Sequence, residues 1–171
     1  MSFYIYVLEQ LVRHKNLIDQ LPFAIAAVKL IERIPGLRAD AYFRGMKIMA
    51  ADEFALRRAR EILMNRFPEK LDFREPEVIY KSNPPQEPVM RMTIETPHPH
   101  EAAVRNWLRA RPAQIVAIAR GQPRTVIHAL APQSDLLGCD DALRQVASAE
   151  THVTLAFSHY QSIDRLHQRQ A

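Results

Sequence analysis

Cysteine occurs once in this chain, at Cys139, which excludes an internal disulfide and leaves too few thiolates for a zinc knuckle. A lone thiol of this kind reads as a small buried hydrophobe. Glycine is almost as scarce: the 171 residues hold four, Gly36, Gly45, Gly121 and Gly138. No Gly-x-x-x-x-Gly-Lys-Ser/Thr run occurs, so the backbone offers no glycine-rich cradle for phosphates, and neither nucleotide binding nor a P-loop GTPase activity is expected. Apolar runs near 20 residues are missing, which argues against a membrane protein. Met1 leads straight into the alternating Phe3-Tyr4-Ile5-Tyr6-Val7, without the basic and apolar regions of a signal peptide, so the expected location is the cytoplasm.

What is present suffices for a proper core: 47% of residues are apolar, enough for one or two small domains. The net charge of +4 suits a polyanionic partner without establishing one. Its distribution is more telling. Between Pro88 and Arg124 the basic residues are Arg91, Arg105, Arg109, Arg111, Arg120 and Arg124, against only Glu95 and Glu101. Arginine makes bidentate phosphate contacts that lysine cannot. The plainer alternative is a solvated helix face with a few basic strand ends.

Hydrophobic periods order the chain. Residues 3–8 alternate like a strand, and apolar residues from Leu17 to Ile31 recur at helical spacing, with Asn16 as the expected N-cap and Pro35-Gly36 as the stop. Two short strands, 39–44 and 46–50, flank Gly45. A helix from Asp52 to Phe67 follows, capped by Asp52 and burying Ala55, Leu56, Ala59, Ile62, Leu63 and Phe67. Residues 71–81 are extended but broken by Pro76, which favours an edge or a bulge. The second half repeats this order: a strand at 89–96, a helix at 100–111 with Trp107 on its inward stripe, strands at 114–119 and 125–129, a helix at 135–147 and a strand at 152–160. The expected fold is α+β, two tandem ferredoxin-like βαββαβ sandwiches joined by a stiff extended linker, Ser82-Asn83-Pro84-Pro85.

The second half resembles the fifth, C-terminal domain of elongation factor G. The resemblance rests on Glu87-Pro88, Leu108-Arg109-Ala110-Arg111 leading into Gln114-Ile115, Ala129-Leu130-Ala131-Pro132, Leu143-Arg144 and Phe157-Ser158-His159-Tyr160. The first half is similar, more weakly, to domain III of the same factors through Asp19 to Ile34, Met46 to Phe67 and Pro76-Glu77-Val78-Ile79-Tyr80. The resemblance therefore implies a domain III-like unit over 1–82 and a domain V-like unit over 86–171, with the short linker where domain IV would stand. Two departures stand out. Ala50 to Ala55 occupies the place of a glycine-flanked Gly-Glu-Leu-His turn, and Ala147-Ser148-Ala149-Glu150-Thr151 that of a glycine-rich basic turn.

Catalytic patterns are weak. His98-Pro99-His100 lacks an adjacent thiolate or carboxylate cluster for a metal site, and the spacing of Asp140-Asp141 and Glu53 does not suit general acid–base catalysis. Ser158-His159 falls in a strand, where neighbours face opposite sides and are not expected to act together. No cofactor and no enzymatic activity are expected. The resemblance implies a translation-factor-derived adaptor that binds ribosomal RNA or protein through Arg105, Arg109, Arg111, Arg120 and Arg124. The competing reading is a protein–protein interaction module, or a subunit of a larger assembly, that has kept the fold without ribosome binding.

Overall fold

The computed structural model describes residues 3–163; the outer ends of the two expected domains, at 1–2 and 164–171, lie outside them. The chain divides into two compact units, Met1–Ile79 and Tyr80–Ala171.

In the first unit, β1 (Leu8–His14), α1 (Leu21–Ile31), β2 (Leu37–Tyr42), β3 (Gly45–Ala50), α2 (Glu53–Arg66), β4 (Leu71–Phe73) and β5 (Glu77–Val78) follow one another. The antiparallel sheet has the order β2-β3-β1-β4, with β5 also on β1. Every second residue of the central strands is buried, Leu8 and Val12 on β1 and Met46, Ile48 and Ala50 on β3, as the two-residue period of a strand requires. They meet Phe23, Ala27 and Ile31 of α1 and Ala55, Ala59 and Leu63 of α2, all buried. Pro76 acts as expected. It lies between β4 and β5, two pieces of one edge strand that both pair with β1. Gly45 has φ +135, and a Cβ there would meet the Val12 carbonyl oxygen at 2.5 Å, so only glycine fits where the hairpin approaches β1.

The start of the chain differs from expectation. The first strand is Leu8–His14 rather than 3–8. It pairs with β3 only from Leu8, opposite Ala50, and beyond Val7, whose N–H donates to the Ala50 carbonyl, β3 has ended. Helix α1 begins at Leu21, and Asn16 does not cap it. The buried Gln20 side chain accepts from the His14 N–H at 2.7 Å and donates to the His14 carbonyl at 2.9 Å, closing residues 14–20 into a loop. Asp19 Oδ1 takes the Leu21 N–H at 3.1 Å.

The second unit runs β6 (Gln86–Pro97), a 3-10 turn (His98–His100), α3 (Glu101–Arg109), β7 (Gln114–Arg120), β8 (Arg124–Pro132), a second 3-10 turn (Gln133–Asp135), α4 (Cys139–Val146) and β9 (His152–Ser162). Its sheet has the order β7-β8-β6-β9, the same topology as the first. Met90, Met92 and Ile94 of β6 and Ile127 and Ala129 of β8 are buried, as are Val104 and Leu108 of α3 and Leu143 of α4. The helix expected over 135–147 is shorter, because Gly138 at φ +72 separates the 3-10 turn from α4. Cys139 is buried.

The fold is thus α+β, two ferredoxin-like βαββαβ sandwiches in tandem along the chain. The segment expected as a stiff extended linker is instead a turn within the second unit. Lys81 and Gln86 exchange backbone hydrogen bonds of 2.9 and 3.0 Å across it, and Asn83 takes φ +67, a conformation asparagine tolerates better than most residues.

Asp52 caps α2, accepting the Ala55 N–H on Oδ1 at 2.9 Å. Replacement by alanine is expected to lower stability by about 0.5–2 kcal/mol in urea denaturation, and Asn16→Ala to change it by less than about 0.5 kcal/mol.

Candidate nucleic-acid interface

Helix α3 places three of the five candidate arginines. Val104, Trp107 and Leu108 are buried at the i, i+3, i+4 spacing that turns one stripe inward. That fixes Arg105 half-buried on the flank, Arg109 exposed in the last turn and Arg111 just past the helix end. The Arg111 guanidinium lies 3.7 Å from the centre of the Trp107 ring and donates from Nη1 to the Trp107 carbonyl at 3.0 Å. It thereby covers the indole and satisfies a carbonyl of the open helix end. Trp107 is a core residue, as its position on the inward stripe indicates. Burial pushes the Asp135 carboxyl above its usual pKa, and nearby Arg111 opposes that shift.

Arg120 and Arg124 are engaged differently. Glu101, in the first turn of α3 and only 8% exposed, receives Arg120 in a fork: Nη2 to Oε1 at 2.8 Å, Nε to Oε1 at 3.1 Å and Nε to Oε2 at 3.0 Å. Arg105 Nη1 stands 3.6 Å from the same carboxylate, and His98 Nδ1 4.0 Å. The hydrogen bonds from Arg120, then the charges of Arg120, Arg105 and His98, hold the Glu101 carboxyl below its usual pKa, with burial opposing them. Glu101 in turn raises Arg120. Arg124 donates to the Glu150 carbonyl at 3.1 Å and lies 3.9 Å from the Glu150 carboxylate. Arg109 makes no ion pair among the described residues.

The five arginines therefore do not form one open cluster. Arg109 and Arg111 stand together at the C-terminal end of α3. Arg105 and Arg120 converge on Glu101 at its start, and Arg124 sits across the β7–β8 turn against Glu150. The carboxylates of Glu101 and Glu150 offset part of the positive charge, whereas Arg109 is exposed with no ion pair among the described residues and Arg111 is half-buried against Trp107. Lys81, absent from the sequence-based candidates, is 3.9 Å from the centre of the Tyr160 ring. A lysine so far along the chain from its partner ring carries no signal in the sequence.

Ser158 and His159 depart from expectation. The register of β6 on β9 shifts between Val89 and Met90, which pair with His159 and Phe157, so Ser158 is an extra residue in a bulge. Alternation fails there, and Ser158 Oγ lies 3.0 Å from His159 Nδ1. The pair stands exposed on an edge strand, and no third side chain among the described residues orients the imidazole, which a nucleophile–base pair needs. His98 Nδ1 bonds Thr125 Oγ1 at 3.0 Å, and no three metal-ligating side chains converge among the described residues. No described helix is long and apolar enough to cross a membrane.

The topology defines an α+β module of two ferredoxin-like units. The family model described as elongation factor G C-terminus matches residues 85–171, and the chain belongs to that family. Elongation factor G of Fervidobacterium nodosum is 30% identical over 88 residues, covering 51% of this chain and 13% of that protein. Elongation factor G 1 of Syntrophus aciditrophicus is 29% identical over 77 residues, 45% of this chain and 11% of that protein. The chain thus spans a small part of the length of these relatives. A crystal structure of a Thermus thermophilus protein superposes with a TM-score of 0.66 over 99% of this chain and 43% of its own, at 15% identity, which speaks to the fold of both units.

Because the Glu101 pKa is depressed in the folded state, its contribution to stability is present above the usual carboxylate pKa and is lost as pH falls through the lowered value. Thermal melts from neutral pH down to about pH 3 are expected to show Glu101→Gln less stable at neutral pH, with the difference from wild type shrinking on the acid side.

Proposed function

We propose that the chain is a non-catalytic, cytoplasmic, translation-factor-derived adaptor that docks on the ribosome through its second unit. The observation that carries this reading is membership of the elongation factor G C-terminus family over 85–171 together with the exposed Arg109 and half-buried Arg111 at the end of α3. In this reading Arg109 and Arg111 meet ribosomal RNA phosphates directly, and Arg105 adds a flanking contact. Arg120 and Arg124 lie apart from that helix end, against Glu101 and Glu150, where they add contacts of their own, and Arg120 holds the start of α3 against β7 through Glu101. The first unit, the domain III-like half, contributes a second contact to a protein partner. Guanidinium contacts to phosphate release counterions, so binding weakens steeply with salt.

The Glu150–Arg124 contact favours a second reading. A carboxylate stands in the turn where the family has a basic, glycine-rich one, which suits a protein partner better than RNA. The two readings part on nuclease and charge. On the ribosome reading, the protein co-sediments with ribosomes at low salt and is released by roughly 0.5 M salt. Arg105→Glu with Arg109→Glu abolishes the association. A protein that fails to co-sediment at low salt sinks the proposal, and capture that survives nuclease and both charge reversals selects the protein-partner reading.

A further inference from the structure

Helix α1 is apolar on both sides. Of its 11 residues, Leu-Pro-Phe-Ala-Ile-Ala-Ala-Val-Lys-Leu-Ile, one is charged. Phe23, Ala24, Ala27 and Ile31 face the first unit's core. On the opposite side Leu21, Pro22, Ile25, Ala26 and Lys29 are exposed, Ile25 to 47%. Ile18, just before the helix, is fully exposed. A solvent-facing helix ordinarily presents a polar outer face, and one apolar all round is ordinarily covered.

We propose that this face is a self-association surface on which α1 of a second copy packs antiparallel across a two-fold axis near Ile25. Charge selects both the occupant and its direction. The approach to the helix carries Asp19 as its acid, whereas the last turn and the residues after it carry Lys29 and Arg33 beside Glu32. An antiparallel pair sets Asp19 of each copy towards Lys29 and Arg33 of the other, and opposes the two helix dipoles favourably. A parallel pair would set Lys29 against its own copy. Ala26, beside the proposed axis, leaves room for close approach, and Leu21 falls opposite the aliphatic stem of Lys29. Two helices about 16 Å long, at 1.5 Å per residue, cover an area at or below the roughly 1,000 Å² of a stable interface. The dimer is therefore weak, dissociating in the micromolar range or above.

Sedimentation velocity on the full chain between about 1 and 500 micromolar tests this. The expected result is a reversible monomer–dimer equilibrium that Ile25→Asp abolishes and Lys29→Glu weakens about tenfold, with circular dichroism unchanged. Mild oxidation of Ile25→Cys should link two copies, while wild type, whose Cys139 is buried, stays unlinked. A monomer throughout the range overturns the proposal, as does a dimer that persists in Ile25→Asp. Tightening by Lys29→Glu overturns the antiparallel arrangement.

Discussion

The charge layout of the second unit depends on one carboxylate. Glu101 sits at the N-terminal turn of α3, where a negative side chain is favoured, and it is buried enough that its partners are held in place. By taking Arg120 in a fork it ties the end of β7 to the start of the helix. By drawing Arg105 to the same oxygen it uses part of a second cation. Arg109, exposed, and Arg111, half-buried over Trp107, stand at the other end of α3. A surface that reads in one dimension as an even scatter of arginines is thus sorted into structural and outward-facing groups.

The order of strands and helices was legible because both halves carry clean periods, two for the strands and near 3.6 for the helices. The Asp52 cap and the Pro76 break are local chemistry and were readable as such, whereas the need for glycine at position 45 also comes from the approach of Val12 on β1. Displacements arose where a distant or buried group decides the local structure. Gln20, a polar residue with no helical or strand signal, locks on to His14 and moves the start of α1. Gly138 ends the apolar pattern that would otherwise run from Asp135 into α4, and Asn83 turns a Pro-rich stretch that composition alone marks as extended.

The candidate site was legible in part. Arg105 with Glu101 and Arg111 with Trp107 are i, i+4 pairs, which sequence spacing exposes. Arg120 with Glu101 and Arg124 with Glu150 lie 19 and 26 residues apart, and only the packed sheet brings them together. The Ser158–His159 contact was hidden for a related reason. Strand alternation predicts opposite faces, and the bulge that cancels it is set by pairing with Val89 and Met90 on another strand.

The central proposal is that the end of α3 is the surface that meets the ribosome. Amide hydrogen exchange, followed by mass spectrometry with and without ribosomes at low salt, tests it at the level of individual segments. The account predicts slowed exchange confined mainly to residues 105–113 within the second unit. Unchanged exchange there, with the protein otherwise shown to be bound, would contradict it.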